Sequence, residues 1–139
     1  MNMMNNFSII VRYGHIFAER SMKEFDLGFP EQVVMMYLAN GKQMNQDSIA
    51  KHYRLDKGAI AKTVLKLENK QLIIRKQNPD NKRENLLSLS PEGNKILGIM
   101  HHRLLDWNLK LYEGISEEDK KELERITNIM TKNALDSVK

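Results

Sequence analysis

The side chains whose type and spacing suggest chemistry are mostly cationic, and they cluster in one segment. Residues 42–83 contain eleven Lys and Arg against four Asp and Glu, whereas the rest of the chain contains eleven against fourteen. Such a local excess of positive charge is typical of a surface that binds a polyanion such as a nucleic acid. The alternative interpretation is an ordinary solvated helix face. The secondary structure around these cations distinguishes a nucleic-acid-binding surface from such a face.

Other potentially reactive side chains do not form a recognisable catalytic or metal-binding group. Ser48, His52 and Asp56 are spaced four residues apart, but Asp56 lies beyond a turn as a helix cap, and no oxyanion-binding motif accompanies them. His101 and His102 are adjacent, so on a helix they diverge by about 100° and cannot chelate one ion together. The absence of Cys excludes thiolate ligands and disulfides. We predict no enzyme, metal or cofactor; a zinc site assembled from histidines and acids of separate helices is the alternative.

Two helices are predicted before the cationic segment. Apolar residues between positions 7 and 25 recur at three- and four-residue steps, which indicates a long first helix that ends near Gly28. Pro30 suits the first turn of a second helix, and the Asn-Gly pair at 40–41 is expected to end it.

The cationic segment itself is predicted to contain a helix, a turn, a second helix and a hairpin. Asn45 and Asp56 are favourable caps for the two helices. In the second helix, the predicted inward residues are Ala59, Ile60, Val64 and Leu67, and the predicted outward residues are Lys57, Lys62, Thr63, Lys66 and Lys70. Residues 72–76 and 86–89 suit paired strands, joined by a flexible polar tip from Asn78 to Asn85.

Long amphipathic helices are predicted after the hairpin. A cap at Ser90 and a second cap at Ser116 open two helices with continuous apolar stripes. These stripes exceed what one small lobe can cover, so a partner chain is the expected cover, with an intramolecular bundle as the alternative. The apolar runs are far shorter than the roughly 18 residues of a membrane span, and no secretory signal is evident, so we expect a cytoplasmic protein.

Over nearly its whole length, the sequence resembles the MarR family of bacterial transcription regulators. The resemblance is most specific from Leu55 to Leu67, at Leu72 and Arg75, and in the hairpin, or wing. The family's wing pattern has an acid, then an arginine two residues later, followed by an aliphatic residue, a leucine, a threonine and a glycine. Matches are found at Arg83, Leu87, Leu89 and Gly93, with Ser90 in the threonine place. Asn81 stands where the family has the acid that supports the wing arginine, and Asp80, one residue earlier, is the candidate to take over that support.

The resemblance implies a mainly α fold with a small β-hairpin wing, in a single domain of residues 1–139. The DNA-binding winged helix-turn-helix, called here the winged lobe, would comprise residues 30–90. Residues 1–28 and 91–139 would form dimerisation helices. The resulting homodimer would present two lobes to a palindromic double-stranded operator with half-sites about 10 bp apart.

The pattern and the resemblance together predict a DNA-binding regulator, most simply a repressor. Lys57, Lys62, Thr63 and Lys66 would enter the major groove, Asn45 and Gln46 would contact phosphates, and Lys82 and Arg83 would hold the minor groove. The resemblance also implies a small aromatic or anionic effector between the dimer helices and the lobe, near Arg12, His15, Met35 and Tyr37. The alternative function is a winged-helix module that binds a protein partner without recognising a DNA sequence.

Overall fold

A computed structural model describes residues 2–138. In that range the chain forms six α-helices and one two-stranded antiparallel sheet, which confirms the predicted mainly α fold with a hairpin. The elements, in chain order, are α1 (Met3–Ser21), α2 (Phe29–Tyr37), α3 (Gln46–Tyr53), α4 (Lys57–Asn69), β1 (Ile73–Asn78), β2 (Asn81–Leu89), α5 (Pro91–Leu111) and α6 (Glu117–Ser137). None of the helices described is long and apolar enough to cross a membrane.

The first helix ends earlier than the sequence predicts. It stops at Ser21, and a 3-10 turn at Lys23–Phe25 leads to Asp26, whose φ of 52° is left-handed. The change of direction buries Met22 and Leu27 almost completely. Removal of these two apolar side chains from water favours the turn.

The predicted helix caps are confirmed. Asn45, Asp56 and Ser116 each accept a hydrogen bond from the backbone N–H three residues later. These bonds satisfy N–H groups that have no partner within the helix. Between α3 and α4, Arg54 adopts a left-handed conformation with φ 52°, which gives the short turn of a helix-turn-helix.

The strands of the wing extend closer to its tip than the sequence predicts. Strand β2 begins at Asn81, not near Leu86, and pairs with β1 from Ile73↔Leu89 to Asn78↔Asn81. Pro79 and Asp80 alone form the turn. A side chain reinforces the hairpin near the turn, where Gln77 Nε2 donates to the Lys82 carbonyl at 2.7 Å.

The described residues divide into two compact units, residues 2–104 and 105–138. The core of the first unit joins α2, α3, α4, the wing and the start of α5; its fully buried side chains include Met35, Leu38, Ile49, Val64, Leu67, Leu87 and Met100. The buried Gln32 amide donates to the carbonyls of Ala18 and Leu27, which connects α2 to the end of α1. In the second unit, α6 has no buried residue among those described.

Candidate nucleic-acid interface

Helix α4 has a buried side and an exposed side, and the division differs from the predicted one. Ile60, Val64 and Leu67 are buried as predicted, but Thr63 is only 8% exposed, and its hydroxyl donates to the Ala59 carbonyl at 3.0 Å. Ala59, predicted to point inward, is exposed. Because the buried residues centre on Ile60, Thr63 and Leu67, the predicted outward position of Thr63 is wrong.

The lysines of α4 are not equivalent. Lys57 lies 3.7 Å from Asp47, with both side chains more than 70% exposed. Lys66 Nζ lies 3.7 Å from Glu31, whose side chain is only 9% exposed, so Lys66 is partly directed toward α2. Lys62 is exposed and forms no ion pair with any residue that the structure describes. Lys62 is therefore the α4 cation that is most available to a ligand.

The wing places its two cations on strand β2, beside the turn rather than in it. Lys82 and Arg83 are both exposed, and the Arg83 guanidinium has no hydrogen bond or ion pair within residues 2–138. Asn81 Oδ1 accepts the Arg83 backbone N–H at 3.1 Å, so Asn81 supports the strand rather than the guanidinium. Asp80 forms no ion pair with Arg83 among the residues described, so its role in supporting the wing stays a prediction.

Glu84, which the sequence did not single out, connects the wing to α3. Its Oε1 accepts a hydrogen bond from Asn45 Nδ2, and its Oε2 accepts one from Asn78 Nδ2 at 2.7 Å. These two bonds, that from Asn45 first, lower the pKa of the Glu84 carboxyl. Asn45 also accepts the Ser48 N–H at 2.6 Å, so its side chain bridges two elements instead of projecting toward phosphate as predicted.

A second connection joins β1, α4 and α3 through Arg75. Its Nη2 and Nε donate to the two Glu68 oxygens at 2.6 and 3.2 Å, and Nη2 also lies 3.5 Å from Gln46 Oε1. The hydrogen bonds with Glu68 raise the pKa of Arg75. The resemblance pointed to Arg75, but only the fold shows that it faces Glu68, across the turn between α4 and β1.

An open cleft of about 360 Å³ lies between the start of α3 and the wing. Its lining is entirely polar or charged: Asn45, Gln46, Asp47, Arg75, Asn81, Arg83, Glu84 and Asn85. The Arg83 guanidinium and the positive end of the α3 dipole favour an anion in this cleft, while the carboxylates of Asp47 and Glu84 also line it and the Ser48 N–H already donates to Asn45. This arrangement is suited to a phosphate backbone that passes between helix and wing.

The four predicted effector residues lie in three different environments. Arg12 and His15 line one open cleft on α1, and His15 packs on Phe29 with ring centroids 3.8 Å apart. Met35 is fully buried in the core. Tyr37 stacks on His52 at 4.4 Å and meets Tyr53 edge-on. Met35 is therefore excluded as a lining residue, because its flexible side chain fills the core.

Known proteins provide an independent comparison. A family model described as MarR matches residues 30–85. The transcriptional regulator SarZ of Staphylococcus aureus is 25% identical over 115 residues, which cover 81% of this chain and 75% of that protein. The regulator BilQ of Clostridium symbiosum is 25% identical over 108 residues, covering 78% and 75%.

Solved structures show the same fold. A putative MarR family transcriptional regulator from Listeria monocytogenes, crystallised in complex with a 26mer DNA, superposes with a TM-score of 0.90. The match covers 99% of this chain and 91% of that one at 19% identity. The helix-turn-helix and the wing lie within the segment, residues 30–85, that is similar to the MarR family, and the described chain has the fold of the winged helix-turn-helix structures of that family.

Proposed function

We propose that this regulator binds a palindromic DNA operator as a homodimer and acts as a ligand-responsive repressor. The observation that carries the proposal is the polar cleft between α3 and the wing, with the unpaired Arg83 guanidinium on one side and the N-terminus of α3 on the other. The Listeria relative crystallised with DNA supports the same use of the fold.

The winged lobe divides the DNA contacts among three elements. Helix α4 enters the major groove, where Lys62, Lys57 and Lys66 contact base edges or phosphates. The first turn of α3, with Gln46, holds a phosphate. Lys82 and Arg83 on β2 enter the adjacent minor groove, where narrowing concentrates negative potential. Thr63 is not part of this set, because its side chain is buried.

The homodimer is supported by exposed apolar residues outside the lobe. On α1, Ile9, Ile10 and Val11 are between 40% and 55% exposed, and on α6, Leu123 and Ile126 are about 40% exposed. Helices that leave such surface in water are typically covered by a partner in solution. The symmetric dimer then sets the spacing of the two half-sites at about one helical turn.

Effector control uses the cleft on α1. That cleft measures about 560 Å³ and combines apolar side chains with Arg12, His15 and Glu19, a combination suited to a small aromatic anion. Tyr37, the other accessible residue of the predicted set, lies in a separate aromatic cluster. An effector changes DNA binding only as far as its affinities for the two lobe arrangements differ.

The decisive experiment is selection of random duplex DNA by the purified protein, followed by salt titration of the best sequence. We expect a palindrome whose affinity falls steeply with salt, because each neutralised phosphate releases counterions. Arg83→Ala should weaken operator binding by roughly 1–3 kcal/mol. Arg20→Ala, which removes the same charge from an exposed site on α1, is the matched control and should bind normally.

Two results would contradict the proposal. The first is no enriched sequence together with weak salt dependence, which would favour a winged-helix module that binds a protein partner. The second is an Arg83→Ala variant whose operator isotherm coincides with that of the wild type, which would remove the wing from the interface.

A further inference from the structure

The exposed side of α4 contains an apolar side chain that the DNA contacts described above do not use. Leu65 is 58% exposed, and it lies four and seven residues after Ala61 and Gly58. At about 100° per residue, these three positions fall within about 60° of one another. They lie opposite the buried side formed by Ile60 and Leu67, so Leu65 is near the centre of the outward face.

The neighbours of Leu65 make it the most prominent apolar group on that face. Gly58 has no side chain and Ala61 has a single methyl group, so neither shields the leucine from an approaching surface. Lys62 and Asn69 flank it, and both are exposed with no ion pair or side-chain hydrogen bond to any residue between 2 and 138. The face therefore offers one apolar contact between two polar side chains that can each reach a ligand.

The charge around Leu65 indicates which kind of surface covers it. Lys62, Lys57 and Lys66 surround the face, and the first turn of α4 has no acidic residue. An apolar protein surface would desolvate these cations without pairing them, which is costly. A DNA major groove pairs them with phosphates and base acceptors, and it also presents one apolar group, the C5-methyl of thymine.

We propose that Leu65 is a specificity-determining residue that packs against the C5-methyl group of a thymine in each operator half-site. The inference rests on the proposed function, because it requires α4 to enter the major groove. Leucine can neither donate nor accept a hydrogen bond, so its discrimination depends on the methyl group. Lys62 and Asn69 supply hydrogen bonds to guanine and adenine edges on either side.

The test replaces thymine by deoxyuridine, one position at a time, in the operator obtained by selection. Deoxyuridine keeps every hydrogen-bonding group of thymine and removes only the C5-methyl. We expect one position per half-site at which wild-type protein binds about fourfold more weakly, the fold-change that corresponds to about 0.8 kcal/mol for one buried methyl-sized group. Leu65→Ala should bind both duplexes with equal affinity, and because Leu65 is exposed, that variant should fold normally.

Leu109→Ala is the matched control, since Leu109 is 73% exposed and lies outside the winged lobe. The ratio of its affinities for the thymine and deoxyuridine operators should equal that of the wild type, whatever its absolute affinity. The inference is overturned if the wild type binds every substituted operator equally well, or if Leu65→Ala retains the fourfold ratio. An absence of any selected operator would instead overturn the proposed function, so the two failures are distinct.

Discussion

The winged lobe and the C-terminal unit bury their apolar residues to very different extents. In the lobe, side chains from three helices and both strands form one core, and Gln32, Glu84 and Arg75 fix the spacing of the elements through hydrogen bonds. In residues 105–138, helix α6 buries no described residue, and Ile129 is 50% exposed. The lobe thus covers its apolar residues through its own contacts, whereas α6 leaves its apolar side chains exposed.

The largest expected effect sharpens this comparison at Gly93, where α5 packs closely against the winged lobe. A Cβ on Gly93 would lie 2.0 Å from the Leu72 carbonyl oxygen, which is backbone and cannot easily move. Gly93→Ala should therefore lower the free energy of unfolding by roughly 3 kcal/mol, through overpacking. Urea denaturation followed by circular dichroism measures the change.

Gly98 provides a control on the same helix. A Cβ there would have no heavy atom within 4 Å, so Gly98→Ala should raise the free energy of unfolding by up to about 1 kcal/mol, the helix-propensity difference. If the two variants unfolded at the same urea concentration, the close approach of α5 to Leu72 would not explain a requirement for glycine at position 93.

The next effect tests the other side of the comparison, the exposed face of α6. Ile126→Asp places a charge on that face, where full burial of an isoleucine contributes roughly 1.5–3 kcal/mol. We expect the homodimer to dissociate while the helical circular dichroism of the lobe persists. Sedimentation velocity measures the oligomeric state. Asn128→Asp adds the same charge elsewhere on α6 and should leave the dimer intact; dissociation of both variants alike would count against a specific face.

A smaller effect concerns the connection between α3 and the wing. Since hydrogen bonds from Asn45 and Asn78 lower the Glu84 pKa in the folded state, folding favours the carboxylate. That stabilisation is present above the pKa of the unfolded chain and is lost as pH falls through the folded pKa. An NMR titration should show Glu84 titrating below an ordinary glutamate, and Asn45→Ala should return it toward the ordinary value. An unchanged titration in Asn45→Ala would show that the two side chains are not coupled.

What the sequence predicts well is local. The caps at Asn45, Asp56 and Ser116 depend on a side-chain oxygen and an N–H three residues away, so the residue type and the start of a periodic segment are sufficient. The pairing of β1 with β2 follows from short apolar segments on either side of a proline-containing turn.

What the sequence does not predict depends on distant contacts. The orientation of α4 is set by the core. Ala59 and Thr63 are only about 40° apart around the helix, yet the first is exposed and the second is buried, a difference too fine for the apolar pattern to predict. Glu84 pairs with Asn45 from 39 positions away, a separation at which no periodic pattern links the two residues. Met35 illustrates a third limit, because a methionine suits either a core or an adaptable pocket.

The smallest expected effect separates DNA binding from stability within α4. Lys57 and Asp47 are both more than 70% exposed, so Lys57→Gln should change the free energy of unfolding by less than about 1 kcal/mol. If Lys57 contacts a phosphate, the slope of log affinity against log salt should nevertheless decrease in magnitude by about one.

Lys66→Gln is the variant to compare with Lys57→Gln, because it removes the cation beside the largely buried Glu31. It should destabilise the lobe more than Lys57→Gln does, since a buried carboxylate left unpaired costs more than an exposed one. Equal stability of the two variants would mean that the Lys66–Glu31 pair is as weakly coupled as a surface pair, and that Lys66 is free to reach DNA.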